Sequence, residues 1–219
     1  MRKTLLTIIG VSAGITIGCV GSFFILKSYS IKEKENIIIQ KQELKNQKIE
    51  LKNQQDKLDS QNFNKKIDDF CAVLVKSESY YVKSRDEFGV LLRKGAEKLD
   101  GTEDGELILK EALKETDLSN FTKMAQKAVD NMNETLKIFA DLYPRLNIAS
   151  ELKNNLLKLE NIMQKNVLFI NNADNGILSV TGIKNWTKQI DEGDFLIKSL
   201  NIECDKLINM KKEINKVFP

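Results

Sequence analysis

The chain has 219 residues, a net charge of +3 and no histidine, which removes the commonest general base, the commonest metal ligand and every Ser–His or Cys–His pair. Arg2 and Lys3 account for most of the excess charge, so the body is close to neutral with interspersed signs, a poor electrostatic match for nucleic acid. Gly and Pro number only 11 and 2, and 30% of residues are charged, a composition that predicts long solvated helices rather than sheet.

The first element is an uncharged run of 23 residues, Thr4 to Leu26, closed by Lys27. A membrane-spanning helix needs about 20 apolar residues. The run continues through Phe23, Phe24, Ile25 and Leu26, past any small-residue cleavage site. Residues 1–27 therefore predict an uncleaved, single-pass signal-anchor in the lipid bilayer. Gly18-Cys19 forms only a poor lipoprotein cleavage site, because the apolar run does not stop there. Gly10, Gly14, Gly18 and Ser22 recur every four residues, which places small side chains on one ridge and lets a second membrane helix approach closely. Glycine is also simply common in such helices. Arg2 and Lys3 favour a cytoplasmic N-terminus and an extracytoplasmic body, whereas Lys27, Lys32, Lys34, Lys41 and Lys45 pull the other way; the short basic tail before the apolar run favours export.

Residues 28–63 form a polar stalk. Ile37, Leu44, Leu51 and Leu58 repeat every seven residues, and Gln40, Gln47, Gln54 and Gln61 repeat three residues further on. A period of seven is the coiled-coil signature, although two apolar positions per heptad are the rule. The pattern fits either a solvated helical spacer or a weak parallel self-association. At 1.5 Å per residue, the roughly 35 residues from Ser30 to Asn64 would hold the following domain about 50 Å from the bilayer.

Residues 64–219 predict an antiparallel four-helix-type bundle, making the chain all-α. The first helix runs to about Leu99 with Ile67, Phe70, Cys71, Leu74, Tyr81, Phe88, Leu92 and Leu99 on or beside one stripe. A short helix over about 106–114 follows. The second long helix spans about Leu118 to Tyr143, with Phe121, Met124, Ala125, Ala128, Met132, Leu136, Phe139 and Tyr143 inward; Asp117 or Ser119 can cap it, and Pro144 stops it. The third spans about Ile148 to Asn171 with Leu152, Leu156, Leu159, Met163 and Ile170 inward, and ends at the turn Asn171–Gly176. A loop to Gly182, with a short extended piece, leads to the fourth helix. There Ile183, Trp186, Ile190, Ile197, Leu200, Cys204, Leu207, Ile214 and Phe218 keep a 3–4 spacing that only Gly193 and Lys211 interrupt.

Two local features could carry chemistry. In the segment Asp100–Glu111, Asp100, Asp104, Gly105 and Glu111 occupy positions 1, 5, 6 and 12 of a twelve-residue loop, and Leu107 occupies position 8. This loop resembles the calcium-binding loop of the EF-hand family, which needs oxygen ligands at 1, 3, 5 and 12 and glycine at 6. The resemblance implies a calcium site built from Asp100, Thr102, Asp104 and Glu111. Thr102 stands where Asp or Asn is the rule, and a neutral hydroxyl implies low affinity. No second loop pairs with it, since Gly182 falls where the closing Glu of a loop starting at Asn171 would be. The alternative is an acidic turn that favours the next helix N-terminus.

The second feature is Cys71 and Cys204, early in the first bundle helix and late in the fourth. An up-down-up-down order puts both at one end of neighbouring helices. An exported protein can join them in a disulfide; the alternative is two buried thiols acting as small hydrophobes. Widely spaced cysteines without a CxxC pair make a zinc or iron–sulfur site improbable. With no phosphate loop, nucleophile elbow or metal-helix motif, no enzyme is expected. The expected role is that of a structural adaptor or scaffold contacting other envelope proteins or a second copy, without a cofactor. A ligand- or calcium-sensing ectodomain acting through a membrane partner is the alternative.

Overall fold

A computed structural model of the protein describes residues 2–97, 113, 116–146 and 149–217, with side chains described for 33–95, 113, 116–146 and 150–216. The chain divides into two compact units, Met1–Leu58 and Asp59–Pro219. Helix α1 is Arg2–Glu97, α2 is Ser119–Leu142 followed by a 3-10 turn over Tyr143–Arg145, α3 is Ala149–Asp174 and α4 is Val180–Val217. Among the described residues there is no strand, and 177–179, where a short extended piece was expected, belong to neither helix nor strand.

In the first unit, every described side chain from Glu33 to Leu58 is exposed. The expected anchor and its ridge of Gly10, Gly14, Gly18 and Ser22 fall on residues whose side chains lie outside the described ones. Among the described residues, no helix is long and apolar enough to cross a membrane.

The second unit is a helical bundle, and its polar contacts give the directions of its helices. Ser77 donates to the Ala128 carbonyl at 2.7 Å, and Lys66 pairs with Asp141 at 2.7 Å, so α1 and α2 run antiparallel. Asn64 donates to Asn215 at 2.6 Å and Lys211 meets Asp68 at 2.5 Å, so α1 and α4 also run antiparallel. Asn155 donates to Ser199 at 3.3 Å and Trp186 Nε1 donates to Asn166 at 2.9 Å, so α3 and α4 run antiparallel as well. Lys211, one of the two interruptions in the α4 stripe, is thus occupied by an ion pair at the edge of the bundle.

The core begins at Phe63 and continues along α1 through Ile67, Phe70, Leu74 and Tyr81, against Met132 and Phe139 of α2, Leu156, Leu159 and Met163 of α3, and Leu200 and Leu207 of α4. A second cluster closes the other end around Phe88, Leu92, Leu118, Ile170, Leu178 and Trp186. Leu196 rather than Ile197 is the deeply buried member of its turn of α4. Tyr143, expected inward, is 41% exposed: the 3-10 turn carrying Pro144 takes over there, leaving the ring edge-on to Phe139 at 5.7 Å.

The helix ends follow local chemistry. The Asp117 carboxylate accepts the Ser119 N–H at 2.9 Å, and the hydrogen bonds from the Ser119 side chain and backbone hold its pKa below the usual carboxylate range. Helix α3 runs three residues past the expected stop. It ends when Gly176 enters the left-handed region at φ 72°. There the Ile177 N–H reaches the Asn172 carbonyl at 2.7 Å and the Gly176 N–H reaches the Ala173 carbonyl at 3.0 Å, the paired bonds of a Schellman cap. Helix α4 starts at Val180, three residues earlier than expected, because Ser179 Oγ accepts the Gly182 N–H at 3.0 Å as an N-cap.

Candidate functional site

The most elaborate constellation lies where α1, α3 and α4 meet, around the only tryptophan of the chain. Trp186 Nε1 donates to Asn166 Oδ1 at 2.9 Å, Asn166 Nδ2 donates to Ser84 Oγ at 3.1 Å, and Ser84 Oγ donates to the Tyr81 carbonyl at 2.9 Å. All three polar side chains are thereby satisfied inside the core, where an unpaired group would cost about 1–3 kcal/mol. The indole stacks on Phe169 at 4.9 Å and meets Phe88 edge-on at 5.7 Å. The expectation that Trp186 anchors the core is met: it is buried.

Next to it, Arg85 is almost fully buried yet charged. Its Nε donates to Asp86 at 2.9 Å, its Nη1 pairs with Asp194, and its guanidinium lies 5.4 Å from the Tyr81 ring centroid. Burial opposes the charge, but the hydrogen bonds to Asp194 and Asp86 outweigh it and raise the guanidinium's pKa. Burial pushes the Tyr81 phenol up to about 12. Gly193 fits here because its missing Cβ leaves space for the Tyr81 hydroxyl.

A cleft of about 530 Å³ opens between α1 and α4 over this cluster, with Leu92, Ile183, Trp186 and Ile190 as an apolar floor and Arg85 and Arg93 along its side. The Arg85 charge is already met by two carboxylates. Chemically, the cleft suits a flat apolar group against the indole, with its acidic end toward Arg93.

The other constellation is at the Cys71 end. Cys71 is half-buried, Cys204 is buried, and both are free thiols. The two side chains are hydrogen-bonded to each other. That bond lowers the Cys71 pKa, while the same bond and burial raise that of Cys204. Cys71 is the more exposed thiol of the pair and so the one open to attack from solvent. Two turns along α1 from Cys71, Glu78 is 6% exposed with its Oε1 buried and without a partner. Burial pushes its carboxyl up to about 7 against a hydrogen bond from Asn201 that lowers it.

The structure thus brings Cys71 and Cys204 together, as the helix order implied. The expected calcium ligands Asp100, Thr102, Asp104 and Glu111 lie outside the described residues. Among the described residues, no group of three or more Cys, Asp or Glu side chains is placed to hold a metal ion. Asn166, Ser77, Ser84, Glu78 and Arg85 were not singled out from the sequence. Their signal was positional: Phe63, Phe70, Ser77 and Ser84 continue one seven-residue series, and Asn166 stands in the 3–4 series between Met163 and Ile170. A small or amide side chain in a core series is where a buried hydrogen bond belongs. Compared with models of protein families, with characterised proteins and with solved structures, the chain matches none of them.

Proposed function

We propose that this chain is a single-pass membrane protein whose helical bundle makes structural protein–protein contacts in the cell envelope, on the extracytoplasmic side. The observation that carries the reading is the uncharged run Thr4–Leu26 behind a short basic tail, long enough to span a bilayer as a helix. A contact role is supported by Phe195 and Ile202, which stand seven residues apart on α4 and are 71% and 56% exposed. A large aromatic left in water beside a well-filled core is the kind of side chain that anchors an interface.

The test is alkaline carbonate extraction, followed by protease treatment of intact spheroplasts carrying a C-terminally tagged chain. The reading expects the protein in the carbonate pellet and the tag digested from outside. Release into the supernatant overturns the anchor, and a tag protected until lysis overturns the sidedness.

A second reading, a ligand-sensing ectodomain acting through a membrane partner, is favoured by the cleft over Trp186. An aromatic carboxylate that quenches the single tryptophan and raises the melting temperature would support it, provided Arg93→Ala weakens both effects. The calcium version predicts that millimolar calcium raises the melting temperature and that Glu111→Gln abolishes the rise.

A further inference from the structure

Ile37, Leu44, Leu51 and Leu58 are 45%, 53%, 64% and 51% exposed, an apolar side chain at every seventh residue of the first unit, whereas the other exposed isoleucines there, Ile38, Ile39 and Ile49, keep no such period. Leu58 and Phe63, where the core of the second unit begins, are five residues apart, a step that neither a three- nor a four-residue spacing makes. The stripe is therefore not the outer end of the core seam.

We propose that this stripe pairs with the same residues of a second copy of the chain, parallel and in register, as a short coiled coil. With the leucine series at position a, Gln40, Gln47 and Gln54 stand at d, Lys41 and Lys48 at e, and Glu43 and Glu50 at g. Parallel in-register pairing sets leucine against leucine and glutamine against glutamine, and each glutamine amide can both donate to and accept from its twin. It also sets g against e of the partner's next heptad, so Glu43 faces Lys48 twice across the dimer. Antiparallel pairing sets a against d, which buries each amide against a leucine with no partner. It also sets e against e and g against g, lysine near lysine and glutamate near glutamate. Both the seam and its flanks therefore select the parallel form.

One leucine per heptad over about three heptads makes the pairing weak between freely diffusing chains. Confinement to one membrane raises the effective concentration, and to that extent the inference rests on the anchored reading above.

The test uses the full chain in native membranes with Cys19→Ala, Cys71→Ala and Cys204→Ala, and single cysteines introduced by Gln40→Cys, Gln54→Cys, Gln42→Cys or Asp56→Cys. Mild oxidation is read on non-reducing gels. The expected result is a disulfide-linked homodimer at least fivefold more abundant for both Gln40→Cys and Gln54→Cys than for the outward-facing Gln42→Cys and Asp56→Cys. Lys48→Glu should lower that yield, and adding Glu43→Lys should restore it. Equal yields at all four sites, no dimer, or a bond to a different polypeptide would overturn the pairing. Carbonate extraction of the same membranes separates the two ideas: a chain that pellets but does not crosslink keeps its anchor and loses its partner.

Discussion

Gly193 and Tyr81 occupy each other's space: a Cβ built on Gly193 would lie 2.7 Å from the Tyr81 hydroxyl and 3.2 Å from its ring. Glycine inside a helix normally costs roughly 0.5–1 kcal/mol relative to alanine. Here the ring is buried, with the Arg85 guanidinium over it, so it has nowhere to swing. Overpacking, at about 1–3 kcal/mol, wins over the propensity gain. Gly193→Ala should lower the melting temperature, and adding Tyr81→Phe should recover part of the loss. A stabilised Gly193→Ala would show that α1 and α4 are further apart than described.

Asn166 is the one acceptor for the Trp186 N–H and a donor to Ser84. Asn166→Leu keeps a comparable volume but leaves the indole N–H unpaired in the core, at a cost of about 1–3 kcal/mol. Urea unfolding followed by the fluorescence of the single tryptophan should show the unfolding free energy fall by that amount, read as a lower midpoint at unchanged m. An unchanged midpoint would mean that water reaches the indole nitrogen.

Glu78 makes stability fall with rising pH. Its carboxyl is raised to about 7 in the folded protein from 4.5, so between those values the folded state holds the extra proton. By linkage, stability then declines as pH climbs through that window. The penalty is absent below about 4.5 and complete above about 7, roughly 1–3 kcal/mol after allowing for partial solvent screening. Glu78→Gln should flatten this part of the pH profile and be more stable than the parent at pH 8. A parallel profile would show that Glu78 stays ionised with an unseen partner.

The thiol pair makes its own prediction. Cys71, half-exposed with its pKa lowered, should be alkylated before Cys204 at neutral pH, as peptide mass spectrometry can read. Exposure to a disulfide donor such as oxidised glutathione should join the two. The product would show faster migration on non-reducing gels and a higher melting temperature by several degrees, and Cys71→Ala should abolish both. No shift in protein taken from the membrane would rule out the bond in the native compartment.

How much of this was legible beforehand depended on whether one segment or several decide the outcome. Composition and the 3–4 spacing of apolar residues were sufficient for an all-helical chain, for the core faces of α2 and α3, and for Trp186 as a core residue. Each helix presents its own face, whatever it packs against. Pro144 as the end of α2 was readable for the same reason, since ring sterics act within a few residues; of the two expected caps, Asp117 only accepts the Ser119 N–H, and Leu118 stands at the N-cap without a side-chain bond. The Ser179 cap was equally local, yet the threonine and glycine after it masked the start of α4.

What the sequence could not give was the use of its irregular positions. Gly193 interrupts a stripe in one dimension and admits a tyrosine ring in three. Arg85 is a surface charge by type, and becomes a core residue only because Asp194, 109 positions away, arrives to meet it. Ser84 and Asn166 become useful only when Trp186 supplies the third member of their chain. Cys71 and Cys204 could be placed at one end by counting helices, but only packing decides which thiol is buried and which is open to attack. Periodicity is a property of one segment, whereas pairing belongs to two; the tertiary structure decided everything that needed a second helix.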